Sequence, residues 1–147
     1  MIFREATIED IRDIQQVRHS VQENMLIDPT RVTNEDVASY LTHRGKGWVC
    51  ENEGSIVGFA IADLEDNNIW ALFIKPEYEG FGIGKALQIR MLDWYFAQGK
   101  ERLWLSTEPG TRAERFYRNT GWTHTGKHGD QELKFEMTRE QWERLKR

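Results

Sequence analysis

The segment that decides the fold comprises residues 79–85, which read Glu79-Gly80-Phe81-Gly82-Ile83-Gly84-Lys85. It follows an apolar, strand-like run and precedes an amphipathic helix, so the local order is strand, glycine-rich turn, helix. Glycine has no Cβ atom and can adopt positive φ, which lets successive backbone N–H groups converge on one point. The helix that begins near Ile83 adds the positive end of its dipole. The segment is therefore typical of a turn that binds phosphate, although a plain tight connection is the alternative on the glycines alone.

Outward from this turn, hydrophobic periodicity and turn residues predict alternating strands and helices. Strands are predicted at residues 2–6, 47–51, 55–63, 69–74, 102–106, 122–126 and 132–137. The helix over residues 83–98 is long enough for a right-handed crossover, so the strands before and after it should run parallel. We therefore expect an α/β fold with one domain over residues 1–147. Its sheet should be mixed and mostly antiparallel, with six to seven strands flanked by helices and one parallel strand pair after the glycine turn.

Composition narrows the classes of partner. The formal net charge is −4, and no cluster of Lys and Arg supplies the basic face that nucleic-acid binding requires. No apolar run approaches the roughly 20 residues that span a bilayer. Cys50 is the single cysteine, so no disulfide can form within the chain. We expect a cytoplasmic protein with no nucleic-acid or membrane partner.

Two other phosphate-binding motifs do not fit the turn. A dinucleotide fingerprint that starts at Gly80 would require glycine where Lys85 stands. A P-loop would require glycine in place of Glu79 and Ser or Thr in place of Ala86. The four histidines show no metal-binding spacing, so we also expect no metal.

Two longer segments carry a family resemblance. Residues 73–87, Phe73-Ile74-Lys75-Pro76-Glu77-Tyr78-Glu79-Gly80-Phe81-Gly82-Ile83-Gly84-Lys85-Ala86-Leu87, resemble the acyl-CoA-binding motif of the GNAT superfamily of N-acetyltransferases. Residues 112–122, Arg112-Ala113-Glu114-Arg115-Phe116-Tyr117-Arg118-Asn119-Thr120-Gly121-Trp122, are similar to its second signature. Two positions depart from the family pattern. Glu79 stands where Gln or Arg is usual, and Gly110 stands where Asn is frequent.

The resemblance implies acetyl-CoA as the co-substrate, without a metal. Backbone groups near Phe73, Ile74 and Lys75 would hydrogen-bond the pantetheine. The pyrophosphate would lie on backbone N–H groups of a set of six residues, Gly80, Phe81, Gly82, Ile83, Gly84 and Lys85.

The implied reaction is direct attack of a primary amine of a small molecule on the acetyl-CoA thioester. One alternative is a regulatory module that binds acyl-CoA without catalysis. The other is an acetyltransferase that acts on a protein N-terminus or lysine.

The resemblance also assigns catalytic chemistry. Tyr117 aligns with the family's general acid, and its phenol, with a reference pKa near 10, is expected to give a proton readily to the departing thiolate. Residues 69–73 contain no acid, so a carboxylate base on that strand is excluded. The candidates left are Glu51, Asp63, Glu65 and Glu108, or a water relay through Ser106.

Acceptor recognition is expected at two segments, residues 23–27 and residues 124–131. Asn24, Trp70 and Glu108 are the candidate substrate-binding residues, with Trp48 or Trp70 as an aromatic wall for a cationic amine. Most of the six tryptophans should instead lie in the core.

A homodimer is a further expectation, formed through strand edges or through the last helix, which carries Trp142 and Leu145.

Overall fold

The computed structural model of the chain describes residues 1–21 and 32–147. Its centre is one seven-stranded sheet with the order β1-β2-β3-β4-β5-β7-β6. The strands are β1 (Ile2–Glu5), β2 (Gly45–Asn52), β3 (Ser55–Asp63), β4 (Asn68–Ile74), β5 (Arg102–Thr107), β6 (Thr123–His128) and β7 (Glu132–Thr138). The α-helices of the described residues are α1 (Ile11–Ser20), α2 (Asn34–Ser39), α3 (Ile83–Ala97), α4 (Arg112–Asn119) and α5 (Arg139–Lys146). The fold prediction is confirmed, including the parallel pair, β4 with β5.

The helices pack on both faces of the sheet. On one face α3 covers an apolar layer that includes Trp48 and Cys50 of β2, and on the other α1 and α2 cover Val49 of the same strand. This alternation follows from the period of two along a strand. Trp48 is 5% exposed and contacts Trp94 edge to face on the α3 side. The expectation that Trp48 forms part of an acceptor pocket is therefore wrong.

A β-bulge interrupts the pairing of β3 with β4. Ile61 lies opposite Ala71 and Ala62 lies opposite Ile69, so Trp70 is an extra residue without a partner on β3. A bulge redirects the side chain of the extra residue. Trp70 consequently packs with Ala71 on the face covered by α1 and α2.

The parallel strands β4 and β5 touch at one end only. Their register contains a single residue pair, Asn68 opposite Trp104, next to a hydrogen bond of 3.1 Å from the Trp104 N–H to the Asn67 carbonyl. The Tyr95 hydroxyl of α3 fixes this end, because it donates to the Arg102 carbonyl at 2.7 Å and lies 3.0 Å from Asn67 Oδ1. Beyond this pair a cavity separates the strands.

The last helix is integrated into the chain's own core. Trp142 is 6% exposed, and its Nε1 donates to Asp93 Oδ1 at 2.8 Å. Trp142 is therefore covered by its own chain, whereas Leu145 is half exposed, and the homodimer stays a prediction. None of the helices in the described part of the chain combines the length and the apolar character needed to cross a membrane.

Replacing Tyr95 by Phe should lower the free energy of unfolding by about 1–3 kcal/mol, because the Arg102 carbonyl loses a buried donor. Urea denaturation measures this loss. Tyr78→Phe is the control, since the Tyr78 hydroxyl accepts only a 3.4 Å hydrogen bond from Asn52.

The pH dependence of stability gives an independent check of the role of Tyr95. Burial raises the pKa of Tyr95 to about 12, so the unfolded chain loses this proton first as pH rises above about 10. Wild-type stability should fall more steeply between pH 10 and 12 than that of Tyr95→Phe. Equal slopes together with unchanged stability would contradict the anchoring role.

Candidate active site

The glycine turn has the backbone conformation that its sequence predicts. Gly80 and Gly82 have φ of +86° and +82°, which is the left-handed region, and Gly82 is the N-cap of α3. Gly84 serves a different purpose, because a Cβ atom there would lie 3.3 Å from Phe116 Cε1 of α4. Two glycines thus shape the turn, and the third allows α3 and α4 to approach closely.

A first cavity of about 290 Å³ lies between this turn, the end of β4 and α4. Its lining residues are Val21, Leu72, Phe73, Ile74, Tyr78, Glu79, Gly80, Gly82, Ile83, Gly84, Lys85, Arg112, Ala113, Phe116 and Tyr117. The two sequence signatures, distant along the chain, therefore form the walls of one cavity.

Two of the residues predicted to bind cofactor do not line this cavity, Lys75 and Phe81. The Lys75 N–H donates to the Val57 carbonyl at 2.9 Å, and the Lys75 carbonyl accepts from the Tyr78 N–H at 2.9 Å. The Lys75 N–H is thus already used by Val57 of β3, and the assignment of Lys75 to cofactor binding stays a prediction. The Phe81 side chain is 68% exposed.

The unusual acid in the turn has a cationic partner. Arg112 Nε lies 3.2 Å from Glu79 Oε2, at the margin of the first cavity. The guanidinium offsets the negative charge that would otherwise repel an anionic ligand, and Lys85 adds another positive charge to the lining.

Gly110, the second departure, has φ of +79° and donates its N–H to Glu114 Oε1 at 2.7 Å. Gly and Asn are the residues that adopt this left-handed conformation most readily, so glycine fits where asparagine is frequent.

A second cavity of about 120 Å³ opens between β4 and β5. Its lining residues are Ile69, Trp70, Ala71, Leu72, Phe73, Leu105, Ser106, Thr107, Glu108, Thr111, Ala113, Tyr117 and Glu132. Four residues line both cavities, namely Leu72, Phe73, Ala113 and Tyr117. The two cavities therefore adjoin at Tyr117.

Tyr117 is held at this junction by two aromatic neighbours. Its ring meets Phe116 and Trp122 edge to face, with centroid distances of 5.2 and 5.7 Å. The residue is 6% exposed, and burial raises the pKa of its phenol above the ordinary value of about 10. Tyr117 therefore keeps its proton throughout the neutral pH range.

Three predicted general bases lie in ion pairs outside both cavities. Arg44 binds the fully buried Asp63 through two hydrogen bonds, of 2.7 and 3.1 Å, and also contacts Glu65 at 3.3 Å. Glu51 pairs with Arg4 at 3.3 Å. Those three assignments have no support from the geometry, whereas Glu108 does line the second cavity.

Sequence reasoning missed Glu132, which lines the second cavity and accepts a 2.9 Å hydrogen bond from the Ser106 hydroxyl. Its position follows from the antiparallel pairing of β5 with β7, which sets Thr107 opposite Leu133. Predicting that Glu132 lies at this site would have required the order of the strands in the sheet. Within the described residues, neither Glu108 nor Glu132 forms an ion pair.

The predicted acceptor residues are only partly brought together. Trp70 and Glu108 line the second cavity. Asn24 and the segment 23–27 lie outside the described residues. The segment 124–131 contributes no described residue to the lining of either cavity.

Comparison with known proteins places this site in a family. Residues 8–122 match the sequence model of the acetyltransferase (GNAT) family. An uncharacterized N-acetyltransferase, ycf52-like, from Prochlorococcus marinus is 37% identical over 71 residues, which cover 46% of this chain and 38% of that protein. The chain thus spans well under half the length of this curated relative.

Solved structures share the fold at low sequence identity. The PaiA N-acetyltransferase from Thermoplasma acidophilum, in complex with coenzyme A, has a TM-score of 0.81 and 17% identity, with 93% of this chain and 98% of that chain covered. The ribosomal-protein-S18-alanine N-acetyltransferase from Escherichia coli has a TM-score of 0.74 and 16% identity, with coverage of 93% and 92%. The family match spans most of the sequence, and the chain therefore belongs to the acetyltransferase (GNAT) family.

Proposed function

We propose that this chain transfers an acetyl group from acetyl-CoA to the primary amine of a small, positively charged molecule. The observation that carries the proposal is the junction of two chemically different cavities at Tyr117. The first cavity is lined by the glycine turn and an apolar wall. The second cavity is lined in part by hydroxyl and carboxylate groups. A thioester that reaches the junction from the first cavity would meet an amine that enters from the second.

The first cavity suits coenzyme A in shape and charge. The turn from Gly80 to Lys85 and the beginning of α3 supply backbone N–H groups for the pyrophosphate. Phe73 and Ile74 border the path that the pantetheine would follow along β4. The bound coenzyme A in the Thermoplasma acidophilum neighbour is consistent with this assignment.

The amine must be neutral when it attacks the thioester carbonyl. An alkylamine with a pKa of about 10.4 is about 0.04% neutral at pH 7, so the ammonium proton has to leave before attack. Glu132 is the group we assign to accept or relay it, because its carboxylate faces the second cavity beside Ser106. A backbone N–H of β4 would polarise the carbonyl.

The role of Tyr117 differs from the sequence-based expectation. A thiolate whose conjugate acid has a pKa of about 8.5 is a weaker base than the phenolate, so complete proton transfer from Tyr117 is uphill. Burial raises the pKa of Tyr117 and increases this difference, so the expectation of ready transfer is wrong. We assign Tyr117 as a hydrogen-bond donor to the departing sulfur. It passes on a proton only as it receives the one that the attacking nitrogen loses.

The charge of the second cavity supports a cationic acceptor. Glu108 and Glu132 line it without an ion-pair partner among the described residues, and Trp70 belongs to the same lining. Unpaired carboxylates beside an aromatic ring favour an ammonium ligand. The volume of about 120 Å³ suits a small molecule better than a folded protein surface.

Thiol release from acetyl-CoA across a panel of primary amines tests the proposal. We expect turnover with small cationic amines and little with amino acids of matched length, because their carboxylates would meet Glu108 and Glu132. Calorimetric acetyl-CoA binding without turnover of any amine or peptide would indicate a regulatory module. Preferential acetylation of peptides would contradict the small-molecule acceptor.

Glu132→Gln should lower kcat/KM for the amine about ten- to a hundredfold, because a charge-assisted hydrogen bond contributes roughly 1.5–3 kcal/mol. Steady-state kinetics at saturating acetyl-CoA measure the loss. Glu136→Gln is the matched control on the same strand, since Glu136 pairs with Arg102 and lines neither cavity. An equal loss of kcat/KM in both variants would show that Glu132 has no specific role in the reaction.

Tyr117→Phe should lower kcat by about a hundredfold at every pH from 7 to 10. Because burial raises the pKa of Tyr117, its ionisation should cause no loss of wild-type activity in this range. The affinity for acetyl-CoA, measured by calorimetry, should stay within about twofold of wild type, since the hydroxyl acts on the sulfur only during the reaction. An unchanged kcat across the pH range would refute the assignment.

Arg112→Gln should weaken coenzyme A binding about three- to tenfold, because it leaves the Glu79 carboxylate without its 3.2 Å partner beside an anionic ligand. Glu79→Gln should bind at least as tightly as wild type, and the double variant should fall between the two. Calorimetry at low ionic strength gives the three constants. Weaker binding by Glu79→Gln would show that the carboxylate itself contributes to the site.

A further inference from the structure

A π-helical turn, Tyr40–Arg44, follows α2 and carries an aromatic ring that contacts Trp70, a lining residue of the second cavity. The Tyr40 ring stacks on the Trp70 ring with a centroid distance of 3.9 Å and an interplanar angle of 13°. The Arg44 guanidinium lies over the Tyr40 ring, 4.7 Å from its centroid. These three side chains form what we call the Arg44 stack.

The Arg44 stack is tied to the sheet by a buried ion pair. Asp63, which is fully buried, accepts hydrogen bonds of 2.7 and 3.1 Å from Arg44. The same carboxylate accepts hydrogen bonds from the backbone N–H groups of Glu65 and Asp66, so the loop from β3 to β4 is held as well. Removing Arg44 would leave the buried Asp63 carboxylate without its cation, so loss of this attachment is energetically costly.

Both ends of the Arg44 stack lie at the same end of the β3–β4 pair. Asp63 lies opposite Asn68 in the β3–β4 register, and Trp70 follows Asn68 by two residues. Trp70 is the bulged residue of β4, so it has no cross-strand partner on β3, and it lies past the single β4–β5 pair. Sheet pairing alone therefore does not fix its ring, and the stacked Tyr40 ring lies directly against it.

We propose that Tyr40 is a positioning residue that holds the Trp70 ring as a fixed wall of the second cavity. Tyr40 does not line that cavity itself, so it acts on the acceptor only through Trp70. The ordered π-turn thereby sets acceptor selectivity. The proposal rests on the function proposed above for this cavity.

The orientation of the ring can be tested without an acceptor. In protein labelled with 5-fluorotryptophan, the ¹⁹F resonance of Trp70 is assigned from its disappearance in Trp70→Phe. We expect one narrow Trp70 resonance in wild type and in Tyr40→Phe, which keeps the stacked ring. In Tyr40→Leu the resonance should shift and broaden or divide, because the ring gains other rotamers. An unchanged resonance in Tyr40→Leu would overturn the proposal.

Kinetics then test the consequence for the acceptor. With the amine that the panel identifies, Tyr40→Leu should raise KM for that amine about tenfold or more, while the affinity for acetyl-CoA stays within about twofold. Tyr40→Phe should restore the wild-type value. Trp94→Leu is the matched control, because it removes an aromatic contact with Trp48 on the opposite face of the sheet and should leave the amine KM unchanged.

The two proposals fail in different ways. Absence of turnover with every amine would refute the proposed reaction, whereas the ¹⁹F spectrum would still decide whether Tyr40 orders Trp70. A disordered Trp70 ring with an unchanged amine KM would overturn the selectivity role and leave the proposed reaction intact. An equal KM increase in Tyr40→Phe and Tyr40→Leu would assign the effect to the hydroxyl and overturn the stacking account.

Discussion

The architecture depends on a parallel strand pair that is joined at one point. Tyr95 of α3 binds the carbonyl of Arg102 and contacts Asn67, and this holds the beginnings of β4 and β5 together. Beyond Asn68 and Trp104 the strands are separated by the second cavity, and the first cavity adjoins it. Both cavities therefore exist because the sheet is fixed firmly at one end and left open at the other.

The acids around this opening fall into two groups, those with a cationic partner and those without one among the described residues. Asp63 is fully buried and bound by Arg44, and Glu79 pairs with Arg112, so each of these two carboxylates has a cationic partner. Glu108 and Glu132 face the second cavity and have no ion-pair partner among the described residues. A cationic ligand would neutralise them, whereas an anionic ligand on the turn would meet Arg112 and Lys85.

Features that depend on local sequence could be predicted, and those that depend on distant contacts could not. The glycine turn and the bounds of most strands follow from residues within a few positions of each other. The Glu79–Arg112 pair joins residues 33 positions apart, and Glu132 reaches the site only because β7 lies beside β5. The bulge at Trp70 depends on the register of β4 with β3. The hydrogen bond from the Lys75 N–H to the Val57 carbonyl depends on the same neighbouring strand. Sequence pattern therefore predicted the turn, but finding Glu132 in the second cavity required the topology.

The open seam between β4 and β5 has a thermodynamic consequence. Among the described residues, most of β4 pairs with β3 on one side and has no paired strand on the other. An unpaired strand edge in the interior of a sheet loses hydrogen bonds and packing contacts. A ligand that occupies the seam takes the place of a strand neighbour and binds only the folded chain. At a hundred times its dissociation constant, such a ligand adds about 2.7 kcal/mol to the free energy of unfolding. The cellular supply of that ligand would then govern how long each copy of the chain resists proteolysis.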